Sequence, residues 1–393
     1  MGIFDKFQNL AATRQQLEAL EINPFGVQIE KIISPTEGLI HGRPTILAGT
    51  NNYLGLTFDP DCIAAARTAL EHEGTGTTGS RMANGSYSGH RKLEQEIAGF
   101  YGKRDAIVFS TGYQANLGIL SALAGPDDVV LLDADCHASI YDGCRLGGAE
   151  IIRFRHNNPE DLAKRMRRLG KRAADALILV EGIYSMLGDR GPLKEIADVK
   201  REFGGYLMVD EAHSLGVLGE KGCGLVEELG LLDDADFIVG TFSKSLGGAG
   251  GFCVSSVPEL ELIRYSSRPY IFTASPSPAT IASTRCALRK LEAGTHLRQR
   301  LHDNAQRLHD GLSSLGYKLG APPSPVIAVV IDGVAEALQF WNNLLQRGVY
   351  VNLMLPPATP DGVSLIRCSL SAAHTTEQID AVCAAFAELR AQA

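Results

Sequence analysis

Between about residue 90 and residue 240 the chain repeats one unit: an amphipathic helix, a short apolar run, then a polar turn. The apolar runs are Ala106–Phe109, Val129–Leu132, Ile151–Phe154, Leu177–Val180, Tyr206–Val209 and Phe237–Val239. Each is too short for a helix, and all but Ile151–Phe154, which carries Arg153, are too uniformly apolar for a strand with one wet face, so strands of a sheet buried on both sides are expected. One intervening helix should open at Asn158-Pro-Glu-Asp161, with the asparagine as cap and proline in the first helical position. Such strands alternating with helices predict an α/β fold with a mainly parallel sheet covered on both faces. Ligands of open parallel sheets bind beyond the carboxyl ends of the strands, so the polar turns are where chemistry is expected.

Five of those turns carry reactive or anion-binding residues. Ser110-Thr-Gly-Tyr-Gln-Ala-Asn116 is a glycine turn opening a helix, whose free amides and macrodipole suit a phosphate. Asp133-Ala-Asp-Cys-His137 brings an imidazole to the same edge. Glu181-Gly-Ile-Tyr-Ser185 follows the next strand, with Ser185 a further hydroxyl for the same ligand. Asp210-Glu-Ala-His213 and the loop Gly240-Thr-Phe-Ser-Lys-Ser-Leu-Gly-Gly-Ala-Gly-Gly251 complete the set. A lone histidine is more often structural than catalytic, and an aspartate at a strand end is often a helix cap. Their coincidence on one sheet edge is what points to a site.

Pyridoxal phosphate has four handles that match these residues. Its aldehyde requires an amine that can lose its proton, and Lys244, past a buried strand in a Gly/Ser/Thr loop, is the candidate. Its pyridinium nitrogen requires a carboxylate, for which Asp210 is placed, and its ring hydroxyl a partner such as His213. Its phosphate requires amides and hydroxyls, which Gly112, Tyr113, Thr241 and Ser243 offer. His137 is then left to face the ring and the substrate.

The rest of the chain sets bounds. At 393 residues it is too long for one ordinary core. The expected parts are an N-terminal arm over 1–45, a large cofactor-binding domain over 46–278 and a small α/β domain over 279–393. In the last, a helix over Ala279–Leu291, strands at Val326–Ile331 and Gly362–Leu370, and a final helix opened by a Thr375/Gln378 capping box are expected. A net charge of −8 argues against nucleic acid, and Lys164 to Arg172 reads as the solvated face of a helix. The eight cysteines have no metal-ligand spacing, so no metal is expected and free thiols in a reducing cytosol are. Gly74-Thr-Gly-Thr-Thr-Gly79 matches a dinucleotide fingerprint but follows a helix rather than a strand, so it reads as a flexible loop. Asn51-Asn-Tyr-Leu-Gly55 reads as a polar loop. Asp5 and Lys6 interrupt any signal-peptide core, and no stretch suits a membrane span. Ile3, Phe4, Phe7, Leu10, Leu17 and Leu20 have roughly helical spacing, as an arm packed on the body or on a second subunit has; a membrane-surface helix is the lesser reading.

Val209-Asp-Glu-Ala-His-Ser214 together with Gly240-Thr-Phe-Ser-Lys-Ser245 resembles the α-oxoamine synthase family of fold-type I pyridoxal-phosphate enzymes. The likeness extends from about Asn51 to the C-terminus and takes in the motifs at 110–116 and 133–143, Phe154-Arg-His156 and Arg268-Pro-Tyr-Ile-Phe-Thr-Ala-Ser275. It implies a large domain with a mainly parallel sheet of the seven-stranded type, a smaller C-terminal α/β domain, and a homodimer with shared sites, in which Thr273 and Ala274 reach the partner subunit's cofactor phosphate. It implies that Asn52 and Arg367 hold the amino-acid carboxylate; a guanidinium inside an apolar run is costly unless it meets such an anion. The implied reaction is decarboxylative condensation of L-serine with a long-chain acyl thioester, carried by coenzyme A or a carrier protein. Its product is a 3-ketosphinganine-type base at the entry to sphingolipid synthesis. Lys244 would hold the cofactor and move the α-proton, Asp210 would support the electron sink, and His137 would orient the substrate carboxylate. The setting implied is cytoplasmic, with the arm as candidate for loose contact with the inner membrane surface. One departure stands out: members acting on long acyl chains commonly carry an arginine before Pro-Pro-Ala-Thr-Pro, and here Leu355 takes that place. The alternatives are a sister condensation using glycine or alanine, an aminotransferase on the same fold, and a non-catalytic partner subunit, against which the presence of Lys244 argues.

Overall fold

The computed structural model describes residues 2–19, 23, 24 and 26–391. After the N-terminal helix (Gln8–Ala19), three strands, β1 (Lys31–Ser34), β2 (Glu37–Ile40) and β3 (Arg43–Leu47), form an antiparallel meander. Alternate residues of β2 are buried, the period of two that a strand with one covered face imposes. Ile3, Phe4, Phe7 and Leu10 of the arm are exposed, and Leu20 lies outside the described residues.

The seven-stranded sheet that follows is built from β4 (Asp105–Phe109), β5 (Val129–Asp133), β6 (Glu150–Phe154), β7 (Leu177–Glu181), β8 (Tyr206–Asp210), β9 (Phe237–Thr241) and β10 (Gly251–Ser255). Their order across the sheet is β4-β10-β9-β8-β7-β5-β6. The neighbours from β9 to β6 are parallel, and β10 runs antiparallel to both β9 and β4. The six strands expected at named positions are all present. The sheet has the seven strands expected, and the seventh, β10, was the one not located in the sequence, because it begins inside the glycine-rich run; the lysine loop is therefore a hairpin between β9 and β10. Every residue of β5, β7, β9 and β10 is buried, which is why the first three read as apolar stretches up to their ends. Gly240 is required where it stands, since a Cβ there would lie 2.5 Å from the Phe252 ring.

Helices cover the sheet and the core lies between. Phe109, Ile119, Leu120, Val130, Leu132 and Ile140 are buried in one cluster. The helix Pro159–Leu169 opens as expected, with Asn158 Oδ1 accepting from the Asp161 amide at 2.7 Å. Glu94, 1% exposed, is held by Arg81 and Arg264, each with a guanidinium nitrogen 2.9 Å from its Oε1. Both cations keep its carboxyl below the usual range even though burial, the largest influence, pushes the other way.

The chain divides into two compact units, 51–303 with 371–373 and 1–50 with 304–370 and 374–393. The division differs from the expected boundary at 278/279. The helix Pro278–Ala293 packs on the helices Pro60–Glu73 and Ser88–Tyr101, so it belongs with the large sheet. The unexpected helix Thr295–Ser314 contains the division point. In the smaller unit β11 (Val326–Ile331), β14 (Ser364–Ser369) and β13 (Asn352–Met354) form an antiparallel sheet, and β12 (Val349–Tyr350) adds parallel to β3. The capping box is present: the Thr375 amide donates to Gln378 Oε1 at 3.1 Å and the Gln378 amide to Thr375 Oγ1 at 3.2 Å. The cysteines are free thiols, six of the eight buried. Among the described residues no helix is long and apolar enough to cross a membrane.

Candidate active site

Strands β5, β7, β8 and β9 end side by side, and beyond their carboxyl ends lies a cavity of about 310 Å³. Eight of the residues expected at the site line it: Gly112, Tyr113, His137, Asp210, His213, Thr241, Ser243 and Lys244. Asp210 is the last residue of β8, and its Oδ1 accepts from the Ala212 amide at 2.9 Å as the chain turns. That turn carries His213 back to the cavity, where Nδ1 lies 2.7 Å from Tyr53 Oη. Lys244, half-buried, sits in the β9–β10 hairpin, three residues past the end of β9.

The helix Gly112–Leu123 begins at the cavity wall. Thr111 caps it by accepting from the Gln114 amide at 3.0 Å, which leaves the Gly112 and Tyr113 amides without intrahelical partners. A Cβ on Gly112 would lie 2.9 Å from the Thr241 side chain, so only glycine keeps this cradle open. Thr241 Oγ1 is in turn 2.9 Å from Ser243 Oγ. Amides, hydroxyls and a helix N-terminus on one wall make an anion site.

Seven lining residues were not assigned to the site from sequence, and four of them bring polar side chains: Thr111, Asn116, Ser139 and Glu181. Asn116 Nδ2 donates to Asp210 Oδ2 at 2.8 Å and to Ser139 Oγ at 2.9 Å. Ser139 Oγ lies 2.8 Å from His137 Nδ1, and the Ser139 amide donates to the same nitrogen at 3.2 Å, so His137 caps the helix Ala138–Gly147. The His137 amide donates to Glu181 Oε1 at 2.5 Å. Burial, and next the Asp210 charge, push the Glu181 carboxyl well above the usual range. Burial holds the His137 imidazole below its ordinary pKa; Asp210 opposes that and Lys244 reinforces it.

The other expected residues lie elsewhere. Ser185 is half-buried and is not among the lining residues. Thr273 and Ala274 belong to a segment tied to the helix start: Gln114 Nε2 donates to Thr273 Oγ1 at 3.2 Å, and Ser110 Oγ to the Ala274 carbonyl at 2.5 Å. Asn52 is buried and donates to Thr57 Oγ1 at 2.8 Å, in a loop that proves far less polar than expected, since Tyr53 and Leu54 are buried with it. Arg367 is buried in β14 of the smaller unit.

The residues present fit pyridoxal phosphate. The open cradle at Gly112 suits its phosphate, the Asp210 carboxylate its ring nitrogen, and the Lys244 amine its aldehyde. Asn116 Oδ1, buried with no protein partner, offers one further acceptor on the wall.

Residues 43–386 match the family model described as aminotransferase class I and II. A serine palmitoyltransferase of Caulobacter vibrioides is 59% identical over 391 residues, covering 100% of this chain and 97% of the relative. The solved Sphingomonas wittichii serine palmitoyltransferase superposes with a TM-score of 0.96 at 51% identity, covering 99% and 98% of the two chains. A serine palmitoyltransferase variant from S. paucimobilis with a bound PLP–myriocin aldimine gives 0.97 at 50% identity over 99% and 98%. The chain belongs to the class I and II aminotransferase family and, within it, to the fold-type I α-oxoamine synthases.

Proposed function

We propose that this protein condenses L-serine with a long-chain acyl thioester, releasing carbon dioxide and forming a 3-ketosphinganine-type base, with pyridoxal 5′-phosphate held through Lys244. The observation that carries this reading is the convergence of Asp210, His213, Lys244 and His137 on one cavity beside a glycine-cradled helix N-terminus. The identity of 59% to a serine palmitoyltransferase over the whole chain supports serine as the amino acid.

When bound, the cofactor supplies an electron sink for charge developing at the amino-acid α-carbon. The chain's own groups do the rest. Lys244 Nζ would hold the cofactor through its aldehyde and, once released, would take the α-proton. Asp210 would pair with the ring nitrogen, and Asn116 keeps its Oδ2 in place. His213 would serve the ring hydroxyl. The Gly112 and Tyr113 amides with Thr241 and Ser243 take the phosphate, with Ser185, Thr273 and Ala274 proposed as further contacts, the last two across a homodimer interface. Asn52 and Arg367 are proposed to bind the substrate carboxylate, and His137 to orient it. The setting proposed is cytoplasmic, with the exposed apolar residues of the arm as candidates for membrane contact.

Leu355 favours one alternative, a sister condensation on glycine or alanine, because it removes a cation from a loop that carries one in long-chain enzymes of the family. Assay of the pure protein with serine, glycine and alanine against short and long acyl thioesters decides. Turnover with serine and a long chain is expected; turnover only with glycine and a short chain would overturn the choice.

A further inference from the structure

We propose that Asn116 and Ser139 are positioning residues that lock His137 as the Nε2–H tautomer and tie it to Asp210, so that His137 serves the pocket as a hydrogen-bond donor. The proposal deepens the functional reading above and rests on it for its catalytic half.

The derivation starts from which groups can only donate. The Ser139 amide is a donor, and it lies 3.2 Å from His137 Nδ1 with N–H geometry, so Nδ1 must present its lone pair. The single proton of the neutral ring then sits on Nε2. Asn116 has two N–H bonds on one nitrogen, and both are used, one on Asp210 Oδ2 at 2.8 Å and one on Ser139 Oγ at 2.9 Å. The reverse orientation of that amide would set its oxygen against a carboxylate. Ser139 Oγ therefore accepts from Asn116 and must send its own hydrogen onward, and His137 Nδ1 stands 2.8 Å away. Each donor in the line from Asp210 to His137 has an acceptor, the Ser139 hydroxyl and amide sharing the one lone pair of Nδ1, and a hydrogen on Nδ1 would leave the Ser139 amide without this acceptor.

Burial makes this arrangement costly to break. Asn116 is 2% exposed and Ser139 1%, so a reversed hydrogen bond leaves a polar atom without water to replace its partner. The helix Ala138–Gly147 adds to it, because His137 is its cap and a hydrogen on Nδ1 would point a donor, in place of an acceptor, at the amides of the helix N-terminus. The unused Nε2–H is thus a fixed donor, suited to a carboxylate or carbonyl oxygen of the substrate, and Nδ1 is closed to base chemistry.

The test is long-range ¹H–¹⁵N correlation on protein labelled at histidine, with and without pyridoxal phosphate, the His137 signals identified by their loss in His137→Gln. A protonated Nε2 and an unprotonated Nδ1 are expected at neutral pH. Ser139→Ala and Asn116→Ala keep the Ser139 backbone amide on Nδ1, so the Nε2–H tautomer should persist while the ring loses its tie to Asp210 and kcat falls by about fivefold to tenfold, the weight of one buried hydrogen bond. Borohydride should still fix the cofactor to Lys244 in Ser139→Ala. A protonated Nδ1 in the wild type overturns the proposal, as does a wild-type tautomer with undiminished kcat in both variants. Absence of any adduct at Lys244 in the wild type instead removes the functional reading, and the catalytic half of the proposal with it.

Discussion

Tyr53 Oη lies 2.7 Å from His213 Nδ1, with both side chains buried. The hydroxyl comes from the loop 51–55 and the imidazole from the turn after β8, so the contact ties a loop remote in sequence to the edge where the cofactor site is formed. Tyr53→Phe leaves His213 Nδ1 without this partner in a dry setting. Cofactor affinity should fall by roughly fivefold, about 1 kcal/mol, read by absorbance titration of the cofactor-free protein. Unchanged affinity would show that the hydroxyl does not orient the ring.

Gly112→Ala tests the anion cradle. The added methyl meets the Thr241 side chain at 2.9 Å, inside van der Waals contact, and must move either the helix start or the hairpin. Inorganic phosphate should compete less well for the cofactor site, and cofactor affinity should fall about tenfold or more. Equal affinity in both proteins would place the phosphate elsewhere.

His156 should make stability fall with rising pH. Burial works against charge on this ring, but Asp133 at 2.8 Å from Nδ1 and Asp189 at 2.8 Å from Nε2 outweigh it and push its pKa up to about 10. Because the folded value is raised above the unfolded value of about 6.5, the stabilisation is full below that pH and fades as pH rises through 10. The Tm gap between wild type and His156→Gln should therefore be widest near pH 6 and shrink towards pH 10. A gap constant across that range would mean the imidazolium contributes nothing.

Glu94→Ala leaves Arg81 and Arg264 buried without their shared carboxylate. Removing one member of a buried ion cluster costs about 3–5 kcal/mol. A markedly lower thermal midpoint is expected in calorimetry, and a midpoint within a degree of wild type would contradict the assignment.

Much of this architecture was legible because a two-face-buried parallel strand has no polar residue until its end. Val129–Leu132 and Leu177–Val180 announced themselves in that way, and the polar residues that followed marked the site edge. β10 was hidden for the same reason in reverse: Gly251 continues a glycine run, and nothing local shows that the chain turns back antiparallel between β9 and β4. Lys244, Asp210 and His213 were readable from spacing, whereas Asn116, Ser139 and Glu181 act through partners supplied by other elements of the fold. A signal for Asn116 did exist, since it stands one helical turn past Gly112 and so shares its face. Tyr53 was passed over because its asparagine neighbours made the loop look solvated, and only the tertiary fold buries it.

The claim on which the others depend is an imine between Lys244 and the cofactor aldehyde. Reduction of the pyridoxal-phosphate-loaded protein with borohydride, digestion and peptide mass mapping reads it directly. The account predicts a single pyridoxyl tag on the peptide containing Lys244, lost in Lys244→Ala; a tag on another lysine, or none, would contradict it.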